Sequence, residues 1–416
     1  MLLKRTIVGR SAIVWGLALV LALAASFAVY AVEEEQLSAV VARDSTGAES
    51  VYIFAQLQGG LEVYVWDGVS TPDEVGTPLP NRSAAPGWTA SDPASAVYRD
   101  TKLNCDVVSA FVIGSDSSLW ECFRHLIPGS SWQWIKLGVP PSGVQLSGHP
   151  AAVPVGMFSD DMGVFVTGTD GGLYEYVLGS KWESLGDPSA PPCPEPPCFY
   201  ISAAPFSSPS VARYISGSGL FITDYQATFV VGSDGHLYGY ECFATQWADL
   251  SNVAGAPTLG TSTPAAVAYY DYVAKSTVFD IFALDGNGKL WACHVANGSP
   301  TWTEPSLSLE PTPITSLPAA GLFYPTPHDP QVRVFCTSTA ELLTALPGNL
   351  SQWGWQHDHS GAYGSETMAR VPAAVVLKGM LYSFVATFTP TTVYGLRLAT
   401  RYYTGTEWQW LDLGVL

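Results

Sequence analysis

Positive charge is what this sequence has least of. Only 18 residues are Lys or Arg against 36 Asp and Glu, a formal net charge of −18, so nothing is available to neutralise a phosphate backbone and nucleic acid is excluded as a partner. The acidic balance assigns no function by itself, since a solvated acidic surface keeps an exported protein soluble. Charge of either sign makes up only 13% of the chain. Helix-period patterning is also nearly missing beyond residue 36. Catalytic signatures are missing too: there is no nucleophile elbow, zincin helix or phosphate-cradling loop. The one metal-like cluster is His357-Asp358-His359, but adjacent strand residues point to opposite faces and no third ligand is placed, so no metal or other cofactor is expected. Carboxylates in "SDDMG" (Ser159 to Gly163) and "GSDSS" (Gly114 to Ser118) sit in turns, where Asp ordinarily bonds its own backbone.

What is present is a repeat. "FVTGTDGGLYEY" begins at Phe165, and near-copies begin at Phe111 ("FVIGSDSSLWEC"), Phe229 ("FVVGSDGHLYGY") and Phe282 ("FALDGNGKLWAC"), with weaker ones at Phe54 and Phe335 and a degenerate seventh placed at Phe388. The leucines after the turn, Leu61, Leu119, Leu173, Leu237, Leu290 and Leu342, are 58, 54, 64, 53 and 52 residues apart. Upstream of each copy lies a small apolar strand such as "PAAV" at Pro150, Pro264 and Pro372. Downstream lies a tryptophan strand such as "SKWESLG" or "TQWADLS". Four strands repeated about seven times predict an all-β fold, a seven-bladed β-propeller of four-stranded antiparallel blades spanning 37–416. Asp-Gly turns supply the positive φ of tight hairpins, and the small "PAAV" residues suit an inner strand crowded around a central channel. The first and last repeats each look complete, so closure is expected from packing of the first blade on the last.

Residues 1–36 form a separate unit, expected as one hydrophobic helix. Lys4, Arg5 and Arg10 precede an uncharged run from Ser11 to Val32, followed by Glu33, Glu34 and Glu35, which places the remainder outside the cytoplasm by the positive-inside rule. The run is long enough for a signal anchor. "VYA" ending at Ala31 also resembles a signal-peptidase site, and an anchor would leave a tether of only about 15 Å before Leu37, at ~3.3 Å per residue. Both readings stand. The chain is thus expected to be extracellular, either secreted or single-pass anchored, with membrane contact only through this segment if it is uncleaved.

Cysteine usage fits an oxidising compartment, with Cys193 and Cys198 of "CPEPPC" as a candidate local disulfide. Cys122 and Cys293 occupy positions held by Tyr176 and Tyr240 and read as small buried hydrophobes. Asn81 and Asn349 head glycosylation sequons, and that at Asn297 is weakened by Pro300.

Glycoside cleavage needs two carboxylates meeting over a channel, but "GSDGHLYGY" (Gly232 to Tyr240) matches a sialidase Asp-box in its turn alone and the arginines share no motif. The chain reads as a non-enzyme, with a propeller glycosidase or sialidase as the lesser alternative.

The unit "PAAV…VFVxGxDGxLYxY…WxxLG" resembles the repeat of PLL-type seven-bladed propeller lectins and, more distantly, fungal fucose-specific lectins and tectonins. The likeness runs from about Leu37 to Leu416 and is best over His149 to Gly186. It implies metal-free, multivalent binding of fucose-like or O-methylated sugars on glycans or glycoproteins, in clefts between blades, through aromatic platforms and a few polar groups. Trp120, Tyr174, Tyr238 and Trp291 directly follow the turn leucine and are the stacking candidates. Glu121 and Glu175 are the polar candidates. Trp132, Trp182, Trp247, Trp302, Trp353 and Trp408 recur at one position in most blades and read as blade-to-blade core. The arginine–glutamate pair of the fucose lectins is not repeated here, and a protein-interaction scaffold without sugar specificity is the other open reading.

Overall fold

The computed structural model describes residues 37–57, 60–68, 77–78, 89–154, 162–186, 207–218, 221–240, 247–260, 262–304, 314, 316–326, 329–337, 341–347, 353–359, 367–368, 372–378, 380–388, 396–403 and 408–415. The 1–36 segment, Cys193, Cys198, Asn81 and Asn349 lie outside the described residues.

The described strands form seven antiparallel sheets, each made from one contiguous stretch and ordered as in the chain. Sheet 1 contains Ser38–Arg43, Glu49–Leu57, Gly60–Trp66 and Thr77–Pro78, and sheet 2 contains Ala94–Asp100, Cys105–Ile113, Leu119–His125 and Gln133–Gly138. Sheet 3 contains Leu146–Pro154, Met162–Gly168, Leu173–Val177 and Trp182–Gly186, and sheet 4 contains Ser210–Ser218, Phe221–Val231, Leu237–Tyr240 and Trp247–Asp249. Sheet 5 contains Ala265–Asp271, Ser276–Leu284, Leu290–Ala296 and Ser299–Thr303, and sheet 6 contains Ala319–Thr326, Asp329–Thr337, Glu341–Pro347 and Trp353–His359. Sheet 7 contains Ala373–Leu377, Met380–Phe388, Leu396–Tyr403 and Trp408–Val415, with the short Thr367–Met368 also pairing on Met380–Phe388. Among the described residues there is no helix.

The second strand of each sheet is the core. In Cys105–Ile113 and Ser276–Leu284 the last seven residues are all buried, because both faces pack against neighbouring sheets. The fourth strand is the rim, as in Gln133–Gly138, half of which is exposed. One pairing recurs in all seven sheets: a small residue of the first strand stands opposite a phenylalanine of the second. The pairs are Ser38 with Phe54, Ala94 with Phe111, Ala151 with Phe165, Ser210 with Phe229, Ala265 with Phe282, Ala319 with Phe335 and Ala373 with Phe384. Every one of these rings is at most 1% exposed, contributing roughly 1.5–3 kcal/mol of burial each. This corrects the seventh copy. Its phenylalanine is Phe384, not Phe388, because the strand runs four residues beyond the core position and Phe388 pairs with Leu396 at its far end.

The small inner residues converge on a central opening of about 280 Å³, lined by 37–39, 93–95, 149–152, 208–211, 263–266, 318–320 and 372–374 from all seven first strands. A serine two residues before the proline fastens four of these strands to their sheets. Ser91, Ser207, Ser262 and Ser316 each accept, through Oγ, the backbone N–H of Ile113, Val231, Leu284 and Thr337 at 2.7–3.1 Å. Each serine thus gives a second-strand amide an acceptor beyond the end of the first strand. Neighbouring first strands are also tied directly, by Ser38 Oγ to Ser95 Oγ at 2.6 Å and by the His149 N–H to Ser208 Oγ at 2.7 Å.

Sheets 1 and 7 meet in one hydrophobic cluster holding Val51, Ile53, Trp66, Leu377, Tyr382 and Phe384. Trp66 stands edge-on to Tyr382 at 5.1 Å and to Phe384 at 5.9 Å. A Cβ on Gly68 would fall 2.7 Å from Leu377 Cδ2, so this close approach, together with φ of +82°, requires glycine.

Candidate functional site

In sheets 2 to 5 the turn between second and third strands is organised by one aspartate. Asp170 Oδ1 accepts the Gly172 N–H at 3.0 Å while Oδ2 accepts the Tyr174 hydroxyl at 2.6 Å. Asp234 treats His236 N–H and Tyr238 OH in the same way, at 3.0 and 2.6 Å. Asp116 Oδ1 accepts Ser118 N–H at 3.1 Å and Trp120 Nε1–H at 3.2 Å. Asp285, shifted to the first position of its turn, accepts Asn287 and Lys289 N–H through Oδ1 and Trp291 Nε1–H through Oδ2 at 3.1 Å. Asp170, Asp234 and Asp285 thus close the turn with one oxygen and hold the aromatic beyond the turn leucine with the other, while Asp116 does both through Oδ1 and gives Oδ2 to Lys136.

This anchoring divides the four stacking candidates. Tyr174 and Tyr238 are 6% and 1% exposed, packed into the interfaces of sheet 3 with sheets 2 and 4. Trp120 and Trp291 stay half-buried. Over each lies an ammonium: Lys136 Nζ is 5.5 Å from the Trp120 ring centroid and 2.7 Å from Asp116 Oδ2, and Lys289 Nζ is 5.2 Å from that of Trp291. An Asp–Trp–Lys group therefore occurs on sheets 2 and 5. Its lysine comes from the fourth strand in one, opposite Trp120 in register, and from the turn in the other.

The polar candidates are also buried between sheets. Glu121, 3% exposed, accepts the Ser109 hydroxyl at 2.7 Å and the Tyr98 hydroxyl at 3.4 Å. Burial pushes its carboxyl up to about 7 against the opposing pull of those hydrogen bonds. Glu175, 7% exposed, accepts Gln226 Nε2–H at 2.8 Å from sheet 4. Both polar candidates thus have their carboxyls at junctions between sheets. The recurrent tryptophans join sheets: Trp182, Trp247 and Trp302 donate Nε1–H to the carbonyls of Leu137, Leu185 and Leu250 in the preceding sheet, at 3.3, 3.1 and 2.9 Å. Trp132 meets Tyr52 and Phe54 edge-on.

Cys105, Cys122, Cys293 and Cys336 are buried free thiols. Among the described residues no group of His, Cys, Asp or Glu has the arrangement of a metal site.

The turns between first and second strands lie at the opposite ends of the sheets. Asp44, Asp100 and Asp271 each cap one by accepting backbone N–H groups through Oδ1. Sheets 1 and 2 carry an ion pair beside the cap, Arg43 with Glu49 and Arg99 with Asp106, both at 2.7 Å. Sheet 5 has Tyr270 opposite Thr277 instead. Tyr270 and Tyr272 are exposed and pack edge-on at 5.1 Å. On another part of sheet 5, Asp280 Oδ1 accepts the His294 Nδ1–H at 2.7 Å. Sequence reading missed the tyrosine pair because its aspartate turn looks like the others.

Together these features define a β-propeller, and comparison with solved structures agrees. The chain is similar to the BP39L lectin from Burkholderia pseudomallei, at 18% identity, over 92% of this chain and 99% of that one, with a TM-score of 0.59. It is also similar to a mutant of AofleA from Arthrobotrys oligospora, at 14% identity over 78% and 86%, TM-score 0.50. The Aleuria aurantia lectin in complex with alpha-methyl-L-fucoside lies further off, at 16% identity over 78% and 94%, TM-score 0.47. The structural neighbours are thus propeller lectins, and at these identities the likeness shows the fold. No protein-family profile and no curated protein matches the sequence.

Proposed function

We propose that the chain is an extracytoplasmic, multivalent carbohydrate-binding protein, built as a seven-bladed propeller over 37–416 behind an N-terminal leader or anchor, and that it performs no chemistry. The observation that carries this reading is the indole held by an aspartate under a lysine ammonium, present twice at the same repeat position, around Trp120 and Trp291, with the lysine drawn from the fourth strand in one and from the turn, paired to Glu304, in the other. An indole face stacks on the apolar C–H face of a sugar. The neighbouring carboxylate and ammonium supply the acceptor and donors that fix hydroxyls, and none of these needs a metal. Two or more weak sites on one rigid body gain avidity on a glycan-coated surface. Fucose-like and O-methylated sugars are the class to test first, on the resemblance of the repeat.

A glycan array probed with the full-length chain, with and without chelator, tests the reading. Binding that survives chelator and falls in Trp120→Ala and Trp291→Ala supports it. Absence of binding to every glycan, or hydrolysis of a chromogenic glycoside panel by the purified chain, overturns it.

A further inference from the structure

Exposed apolar side chains gather at one end of the propeller. The central opening is lined by the beginnings of all seven first strands, so the turns that follow those strands emerge at the other end, away from Trp120 and Trp291. Of the seven large hydrophobic side chains exposed among the described residues, five lie there: Leu103, Tyr270, Tyr272, Val273 and Tyr324. Single exposed apolar residues are ordinary on a protein surface, whereas a group confined to one face calls for a partner. From this placement we propose that the end carrying the first-to-second-strand turns docks on the surface of a zwitterionic phospholipid bilayer, with Leu103 and Val273 as the inserting tips. The proposal stands independently of the carbohydrate reading.

The repeat supplies its own control. Sheets 1, 2 and 5 build the same turn, capped by Asp44, Asp100 and Asp271 and left through a residue of positive φ, at Gly47, Asn104 and Lys275. In sheet 1 the turn reads Ser45-Thr46-Gly47, so its folding requires no large apolar side chain. The other two turns each carry one aliphatic residue and one exposed lysine, Leu103 beside Lys102 in sheet 2 and Val273 with Lys275 in sheet 5. Leu103 is 53% exposed and Val273 94%. Their backbone N–H groups are bonded to the capping Oδ1 at 3.0 and 2.7 Å, and they stay satisfied when the tip leaves water.

These groups match the layers of a bilayer interface. An aliphatic tip enters the acyl boundary, a tyrosine rests at headgroup level with its hydroxyl toward water, and a lysine meets a phosphate. Tyr272 belongs to the sheet 5 tip, and Tyr324, on the first strand of sheet 6, lies within its electrostatic reach. The aliphatic residues protrude from turns and line no groove, which suits a deformable surface. Arg43 and Arg99 on the same face are held by Glu49 and Asp106 at 2.7 Å, and the chain carries a net charge of −18, so charge disfavours an anionic bilayer. Leu37 lines the opening at the opposite end, so the docking face points away from the place where residues 1–36 join the propeller.

The test uses the full-length chain and phosphatidylcholine vesicles. An environment-sensitive fluorophore on Val273→Cys is compared with the same label on Val253→Cys, which is exposed on another part of the surface, and wild type carried through the labelling is the blank. The expected result is a blue shift at residue 273 when vesicles are added and none at 253. The Leu103→Ser/Val273→Ser variant, with an unchanged melting temperature, should need at least tenfold more lipid than wild type for half-maximal co-sedimentation. No shift at 273, or an equal lipid requirement in the two proteins, overturns the proposal, even where the chain sediments with vesicles through another segment. A shift at 273 that comes with rising protein concentration in the absence of vesicles, alongside a heavier species in sedimentation velocity, overturns it in favour of a second copy of the chain. Binding confined to vesicles containing phosphatidylserine overturns the zwitterionic surface.

Discussion

Trp302 on the rim strand of sheet 5 donates its indole N–H to the backbone carbonyl of Leu250, 2.9 Å away in sheet 4. Sheets 3 and 4 repeat the contact through Trp182 and Trp247. Trp302→Phe keeps most of the ring packing and strands the carbonyl. Equilibrium denaturation should show a loss of about 1–3 kcal/mol, with the glycan profile unchanged. A neutral result would mean the hydrogen bond contributes nothing at the rim.

Glu121 gives the fold a pH dependence of defined sign. Burial pushes its carboxyl up to about 7 in the folded chain from the usual 4.5 of a glutamate, so the folded state holds the proton more tightly. Its contribution is fully present below about 4.5 and is lost as pH rises through about 7. Converted at about 1.36 kcal/mol per unit, the swing is on the order of 3 kcal/mol. Glu121→Gln should therefore raise stability at pH 8 relative to wild type and leave it nearly unchanged at pH 4. Parallel stability–pH curves for the two proteins would contradict this.

Ser117 sits at φ 55°, in the turn position where Gly171, Gly235 and Gly288 sit at 81°, 78° and 77°. A side chain there costs roughly 1–2 kcal/mol, partly offset by the extra chain entropy of glycine. Ser117→Gly should stabilise the protein by up to about 1 kcal/mol in thermal or urea unfolding.

The four described thiols should be silent in the native protein. Burial pushes the Cys105, Cys122 and Cys336 thiols up, and a thiol that stays protonated does not react. Native-state labelling with a thiol reagent should leave all four unmodified, and denaturation should expose them. Cys193 and Cys198, if disulfide-linked, should remain unlabelled until a reductant is added.

Trp291→Ala should weaken glycan binding by about 1 kcal/mol if a sugar stacks there, whereas Lys289→Met should change mainly which hydroxyl pattern is preferred. Array profiles of the two variants separate stacking from polar selection.

The repeat was legible because the fold demands it at fixed places. Phe111, Phe165, Phe229 and Phe282 must each fit opposite a small inner residue, and the turn leucines must each fill the same junction. The direction of each aromatic after that leucine was not legible. Tyr174 and Trp120 share a position and each bonds its turn aspartate, yet Tyr174 is buried in the junction and Trp120 only half-buried, a difference set by the surrounding sheets. Lys136 could not be paired with Trp120 from sequence, since their meeting depends on strand register across a turn. Glu121 and Glu175 alternate inward with the strand period, and only the neighbouring sheet decides that inward means sealed. Tyr270 and Tyr272 hid behind a turn whose aspartate is common to three copies.

The meeting of sheets 1 and 7 also bears on how the chain folds. Each sheet draws on a contiguous stretch, so nearly all pairing is local in sequence, and the exception is the clasp where Lys378 Nζ donates to the Asp67 carbonyl across 311 residues. Local hairpins form early and distant contacts late, while the entropy of closing so long a loop grows only with the logarithm of its length. The ring is therefore expected to assemble as an open arc and to shut last at Gly68 and Leu377. A chain permuted to begin at another sheet boundary would move that latch elsewhere on the circle without altering any blade.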